Sequence, residues 1–179
     1  MSRFAIGLSC LLLFIGWMKA YAIADSFSIH LVHPDNDAIV SSLKSDSDLT
    51  EYVKIELAED GKKVVLWVKK KAEIDISDLE RAHLEFSPLT PSLRLRGEKS
   101  FPQIHIWFTP HGSKKWADFT TRNAKKRTVF VLDGIALRAP VIFEPITSGR
   151  TTVAGDFSEK QAKEIVDRIN DLIDRNRAM

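Results

Sequence analysis

Two carboxylates, Asp133 and Glu144, stand in the otherwise apolar stretch "VLDGIALRAPVIFEPI" that spans residues 131–146. Carboxylates this close can serve as an acid/base pair, but only where a fold holds them at a set separation inside a cleft. Their neighbours point elsewhere. Asp-Gly supplies the positive φ angles of a tight hairpin turn, so "RTVFVLDGIAL" reads as two strands joined at Asp133-Gly134. In "APVIFEPI" Pro140 and Pro145 forbid ladder donation near each end, which predicts a short or edge strand. Val141 and Phe143 fall on one face of it, Ile142 and Glu144 on the other, with Glu144 directed outward. A turn and an outer face enclose nothing, so the two carboxylates are expected to be punctuation.

The remaining reactive side chains give no stronger pattern. His30 and His33 sit three apart on a strand or its exit and would face opposite sides, and His83, His105 and His111 show no zinc-ligand spacing. No Gly-x-Ser-x-Gly elbow is present. The one cysteine, Cys10, lies in an N-terminal segment that reads as a secretory signal: Arg3, an apolar run from Phe4 to Met18, Lys19, then "AYAIA". That run falls short of the roughly 20 apolar residues of a membrane span. Cleavage is expected after Ala22 or Ala24, with retention as an uncleaved anchor the alternative. "GLSC" is a poor lipobox, because most of the apolar run lies after the cysteine. No catalytic, cofactor-binding or metal-ligating residue is therefore assigned.

With Arg3 and Lys19 removed, the remaining Lys and Arg equal the 24 Asp and Glu, so the exported chain would be neutral. Neutrality argues against a phosphate-backbone partner, and "VKKKA" and "NAKKR" read as solvated ends of elements. What remains is the length of one ordinary domain without a cysteine, which must stand on its core.

The elements that build such a core are readable in order. "SFSIHLV" alternates Phe27, Ile29 and Leu31 against Ser28 and His30, a half-buried strand, and a short helix is expected around Ala38 to Leu43. "EYVKIELAEDGKKVVLWVKK" is a hairpin with Val53, Ile55 and Leu57 facing Val64, Leu66 and Val68. Ser77 and Glu80 have capping-box spacing, predicting a short helix from Asp78. The proline-rich stretch 87–103 reads as a loop, "QIHIWFT" as a strand, and Ser113 as the cap of a helix with Trp116 and Phe119 on its inner face. A further strand runs to Gly155. The last element is a helix capped by Ser158 and Gln161, with Ala162, Ile165, Val166, Ile169, Leu172 and Ile173 in one stripe.

The stretch "VFVLDGIALRAPVIFEPITSGRTTVAGDFSEKQAKEIVDRI" resembles the closing segment of the head subdomain in the first periplasmic domain of SecD and SecDF. The shared pattern falls on Asp133, Gly134, Ala139, Pro140, Ile142, Pro145, Ile146, Gly149, Gly155, Phe157 and Ser158. Weaker similarity extends the match upstream, so that it covers about residues 72–175 and leaves 25–70 without a counterpart; residues 25–71 are expected to be an N-terminal strand and hairpin extension before a head-like domain at 72–179. The resemblance implies a ferredoxin-like α+β fold, with an antiparallel or mixed sheet and helices packed on one face. It also implies a role in protein export without catalysis or cofactor, and a polypeptide or export-machinery partner. The edge formed by Val141, Phe143 and Glu144 is the candidate contact for an extended segment. A fixed-partner structural subunit is the second reading, and a hydrolase with a site in residues 25–70 the third.

Overall fold

The computed structural model describes residues 26–42, 49–59, 62–87, 101–155 and 157–179. The expected signal segment and most of the proline-rich loop lie outside the described residues.

Strand β1 (Phe27–Leu31) and helix α1 (Asn36–Ser42) lead into the hairpin of β2 (Tyr52–Glu59) and β3 (Lys62–Lys69). Short β4 (Ile74–Asp75) precedes a single 3-10 turn (Ile76–Asp78), then β5 (Leu79–Phe86) and β6 (Pro102–Phe108). Helix α2 (Pro110–Arg122), β7 (Thr128–Leu132), β8 (Ile135–Arg138), β9 (Arg150–Ala154) and helix α3 (Glu159–Ala178) complete the chain. Among the described residues the strands form three antiparallel sheets: a central one in the order β4-β1-β7-β8, the β2–β3 hairpin, and a third in the order β5-β6-β9. The class is α+β as read from the sequence, but the strand orders do not confirm a ferredoxin-like layout.

The central sheet is covered on both faces. On one side Phe27, Ile29, Phe130 and Leu132 join Ile104 and Ile106 of β6, Trp116 and Phe119 of α2, and the stripe of α3 in one core. Both long helices therefore lie on that side. On the other side Val129, Val131 and Ala136 meet Ile55, Leu57, Leu66 and Val68 of the hairpin in a second core. The alternation of β1 predicted a half-buried strand; with the hairpin laid over its polar face, every residue of β1 is buried instead.

Burial forces the polar face of β1 to find partners inside. His30 Nδ1 lies 2.8 Å from the Lys69 carbonyl, which can only accept, so Nδ1 carries the proton and Nε2 takes the Ser28 hydroxyl at 2.8 Å. Thr128 Oγ1 donates to the His30 carbonyl at 2.8 Å. Burial pushes the His30 pKa below its ordinary value, only partly offset by the hydrogen bond to Lys69 and the charge of Glu73.

Two expected caps differ. The Ser77/Glu80 signal predicted a helix, yet Asp75 and Asp78 form the box around one 3-10 turn and the chain then extends. The cause lies in the residues after the turn: Ala82, Leu84 and Phe86 alternate with Arg81, His83 and Glu85, and this two-residue period is realised in the pairing with β6. For α2 the cap is Thr109, not Ser113; its hydroxyl accepts from Gly112 N at 3.0 Å and Pro110 occupies the first turn. Gly112 is required there, because a Cβ would run into the Asp78 carbonyl. The C-terminal helix has the expected box: Ser158 Oγ accepts from Gln161 N at 3.2 Å, and Gln161 Oε1 accepts from Ser158 N at 2.9 Å.

Candidate contact surface

Asp133 and Gly134 adopt φ of 48° and 78°, the two positive angles of the predicted tight turn. The Asp133 carboxylate also receives Arg168 of α3, Nε at 2.7 Å and Nη2 at 3.1 Å, and the Ser26 amide at 3.1 Å. The hydrogen bond from Arg168 holds its pKa below the usual carboxylate range against the opposing effect of burial. Beyond turning the chain, Asp133 thus fastens the β7–β8 hairpin to the helix and to the start of β1. Glu144 lies exposed in another part of the surface, and the two carboxylates share no cleft.

The histidines do not converge either. Among the described residues no group of three or more His, Cys, Asp or Glu is placed to hold a metal ion. One charge cluster is missed by sequence reasoning: Asp78, 1% exposed, holds Lys115 Nζ at 2.6 Å, with Asp75 3.7 Å from the same nitrogen. Burial works against the Lys115 ammonium, but Asp78 and then Asp75 more than offset it and raise its pKa. A lysine held charged is no base, so the cluster acts as a clamp between α2 and the start of β5. Asp-x-x-Asp at 75–78 is its only local signal.

Residues 139–149 form a strap across the end of the central sheet. No strand is formed there; the expected edge strand is reduced to a single bridge between Val141 and Arg127. The strap nonetheless continues the line of β8, since Thr128 N donates to the Pro140 carbonyl and Ile142 exchanges bonds with Lys125 and Lys126. Pro140 and Pro145 interrupt what alternation would otherwise have extended. Ala139 and Ile142 are buried beneath it, while Val141 is 40% and Phe143 73% exposed. Lys125 Nζ stands 6.0 Å from the Phe143 ring centre. Farther along, Ile146 N is held by Thr120 Oγ1 at 2.9 Å, and Gly149, with φ of 69°, turns the chain into β9. Gly155 ends β9 against the Arg138 guanidinium, where a Cβ would collide, and half-buried Phe157 and the Ser158 cap lead into α3.

Between strap and β9 run two adjoining hollows. One of about 310 Å³ is lined by Arg138, Ala139, Pro140 and residues 152–154; the other, about 260 Å³, lies over Trp116, Phe130 and Ile142 beside Val141, Phe143 and Glu144. Phe130, Pro140 and Thr152 border both, so they make one continuous groove. Val141, Phe143 and Glu144 therefore do come together, as one rim of that groove.

The described residues thus build an α+β domain with a groove beside a strap that exposes Val141 and Phe143. The sequence model of the family described as SecDF, P1 head subdomain, matches residues 48–170, and the chain belongs to that family. The match takes in the β2–β3 hairpin, for which the sequence alone suggests no counterpart. Relatives include the protein translocase subunit SecD of Acidaminococcus fermentans, 30% identical over 108 residues that make up 60% of this chain and 26% of that protein. The protein translocase subunit SecDF of Thermus thermophilus is 44% identical over 64 residues, 36% of this chain and 9% of that protein. The chain thus spans roughly a quarter or less of these relatives' length. A structure described as a membrane component SecDF that enhances protein export superposes with a TM-score of 0.54 at 24% identity, covering 82% of this chain and 62% of that one. SecDF in a super-membrane-facing form gives 0.56 at 24% identity over 81% of this chain and 18% of that one. These two establish likeness of fold. No helix among the described residues is long and apolar enough to cross a membrane.

Proposed function

We propose that this chain is an exported, non-catalytic binding domain of the protein-export machinery, which holds extended or translocating polypeptide against the strap formed by Val141, Phe143 and Glu144. The observation that carries this reading is the exposure of Phe143 on a strap pinned at both ends, beside an apolar groove floored by Phe130 and Ile142. A large aromatic ring kept in water on a fixed backbone presents contact area at little ordering cost. The family supports a partner that is protein, and the reading needs no cofactor, metal or nucleic acid. It places the domain in the periplasm after cleavage at Ala22 or Ala24. Sequencing the N-terminus of the secreted form tests the cleavage.

A fixed-partner role has one observation in its favour: Ile135, 67% exposed, borders a second groove of about 630 Å³ between the β7–β8 hairpin and α3. A photo-crosslinking residue at position 143, and in a second strain at 135, separates the two in cells. A spread of adducts from position 143 supports polypeptide holding, whereas one dominant adduct from either position rejects it in favour of fixed docking.

A further inference from the structure

The strap cannot receive an added strand along its inner side, because the amide and carbonyl of Ile142 and the carbonyl of Pro140 already bond to residues 125–128. The opposite wall of the groove differs. Among the described residues strand β9 is the outer strand of its sheet, paired with β6 alone. The Ala154 carbonyl turns away from β6, since it accepts Arg138 Nε at 3.1 Å across the groove. Backbone groups alternate in direction along an antiparallel strand, so the amide and carbonyl of Thr152 turn the same way. Thr152 borders both hollows, and the side chains of Thr151 and Val153 are buried, fixing β9 in place. The far edge of the same sheet is closed at Ala82 by Asn170 of α3.

We infer that the β9 edge, centred on Thr152 and Ala154, is a strand-addition site for an extended polypeptide, which lies in the groove with alternate apolar side chains over Phe130 and Ile142. A row of backbone donors and acceptors at strand spacing recognises another backbone, whatever its sequence, and the strap supplies the apolar contact. Arg138 holds the Ala154 carbonyl until the incoming amide replaces it. This deepens the proposed function and rests on it; what it adds is the backbone that does the binding.

Reduced, carboxymethylated α-lactalbumin, which stays unfolded, serves as the probe. Binding is followed by fluorescence anisotropy, and amide hydrogen exchange is read at Thr152 in the purified protein. Thr152→Pro removes an amide directed away from β6, a position where an edge strand tolerates proline. The expected results are a roughly tenfold or greater loss of affinity in Thr152→Pro, as for a lost backbone pair, and slowed exchange of the Thr152 amide when probe saturates the wild type. If Thr152→Pro does not fold, the exchange result alone decides. Unprotected Thr152 in the bound wild type, with affinity lost in Phe143→Ala, overturns the inference and leaves the functional reading standing. No binding by the wild type overturns that reading as well. Thr152 protection in a self-associated protein without probe makes the occupant a second copy and also overturns it.

Discussion

Along β5, the outward amide and carbonyl of Ala82 are met by the Asn170 side chain at 2.8 and 3.0 Å, and Arg177 Nη2 reaches the Glu80 carbonyl at 2.7 Å. Helix α3 thereby stands in for a neighbouring strand. Along β9, on the other side of the same three-stranded sheet, the closures are Arg138 on Ala154 and the Ser148 hydroxyl on the Arg150 carbonyl at 3.3 Å. Exposed edges invite pairing with other chains, and folds usually blunt them. Here one edge is sealed by a helix and the other only by two side chains, neither of which bonds Thr152, which marks the second as the edge available for use.

The sealed side begins at a tight corner, and breaking it should have the largest effect. Gly112→Ala puts a methyl group into the Asp78 carbonyl, and since the obstacle is backbone, α2 or the turn before β5 must move. Overpacking of this kind costs about 1–3 kcal/mol, read as a lowered midpoint in urea unfolding. An unchanged midpoint would mean that the corner yields and does not set the position of β5. Asn170→Leu is next. It keeps the bulk of the side chain but leaves the outward groups of Ala82 without their partner, for about 1–3 kcal/mol. With α3 still lying over this edge no added strand is expected there, so exchange at the Ala82 amide should quicken equally with and without probe.

Protonation of His30 should act on the central sheet, where its side chain is buried. The folded-state pKa of His30 is depressed by burial, so its contribution to stability is complete above the unfolded value of about 6.5 and is lost as pH falls toward the folded value. Thermal midpoints should fall over that window, and the His30→Gln variant should show a flatter slope there. Probe affinity per folded molecule should hold steady in the variant. An equal slope in both proteins would place the sensitivity elsewhere.

These contrasts divide what local sequence encodes from what only strand order decides. The β2–β3 hairpin, the Asp133-Gly134 turn and the Ser158 cap are written in residues a few places apart, so their chemistry is legible directly. The burial of Ser28 and His30 is hidden, because it depends on the hairpin lying over β1, and nothing in "SFSIHLV" announces a cover. Asp78 and Lys115 are 37 positions apart and meet only through the packing of α2. The apolar surface of the 139–146 segment is legible, but its alternation suggests a free strand where the backbone in fact pairs with 125–128. The open backbone belongs to β9, whose own sequence is that of an ordinary strand.

The smallest expected change in stability comes from Gly155→Ala, with an opposite effect on the two properties. The added Cβ meets the end of the Arg138 side chain, which is flexible and can swing aside. Losing the hydrogen bond from Arg138 to the Ala154 carbonyl costs about 0.5–1.5 kcal/mol, offset in part by the lower chain entropy of alanine in the unfolded state. Displacing Arg138 also clears the Ala154 carbonyl before a polypeptide arrives, so a competitor is removed from the β9 edge alone. The variant should bind unfolded polypeptide more tightly than wild type while melting at the same temperature or slightly below. Tighter binding in Gly155→Ala, with no new site in Asn170→Leu, would show that β9 is guarded by a side chain that can move and β5 by a helix that stays. Weaker binding would mean that Arg138 helps to hold the incoming chain, and the asymmetry between the edges would then need another cause.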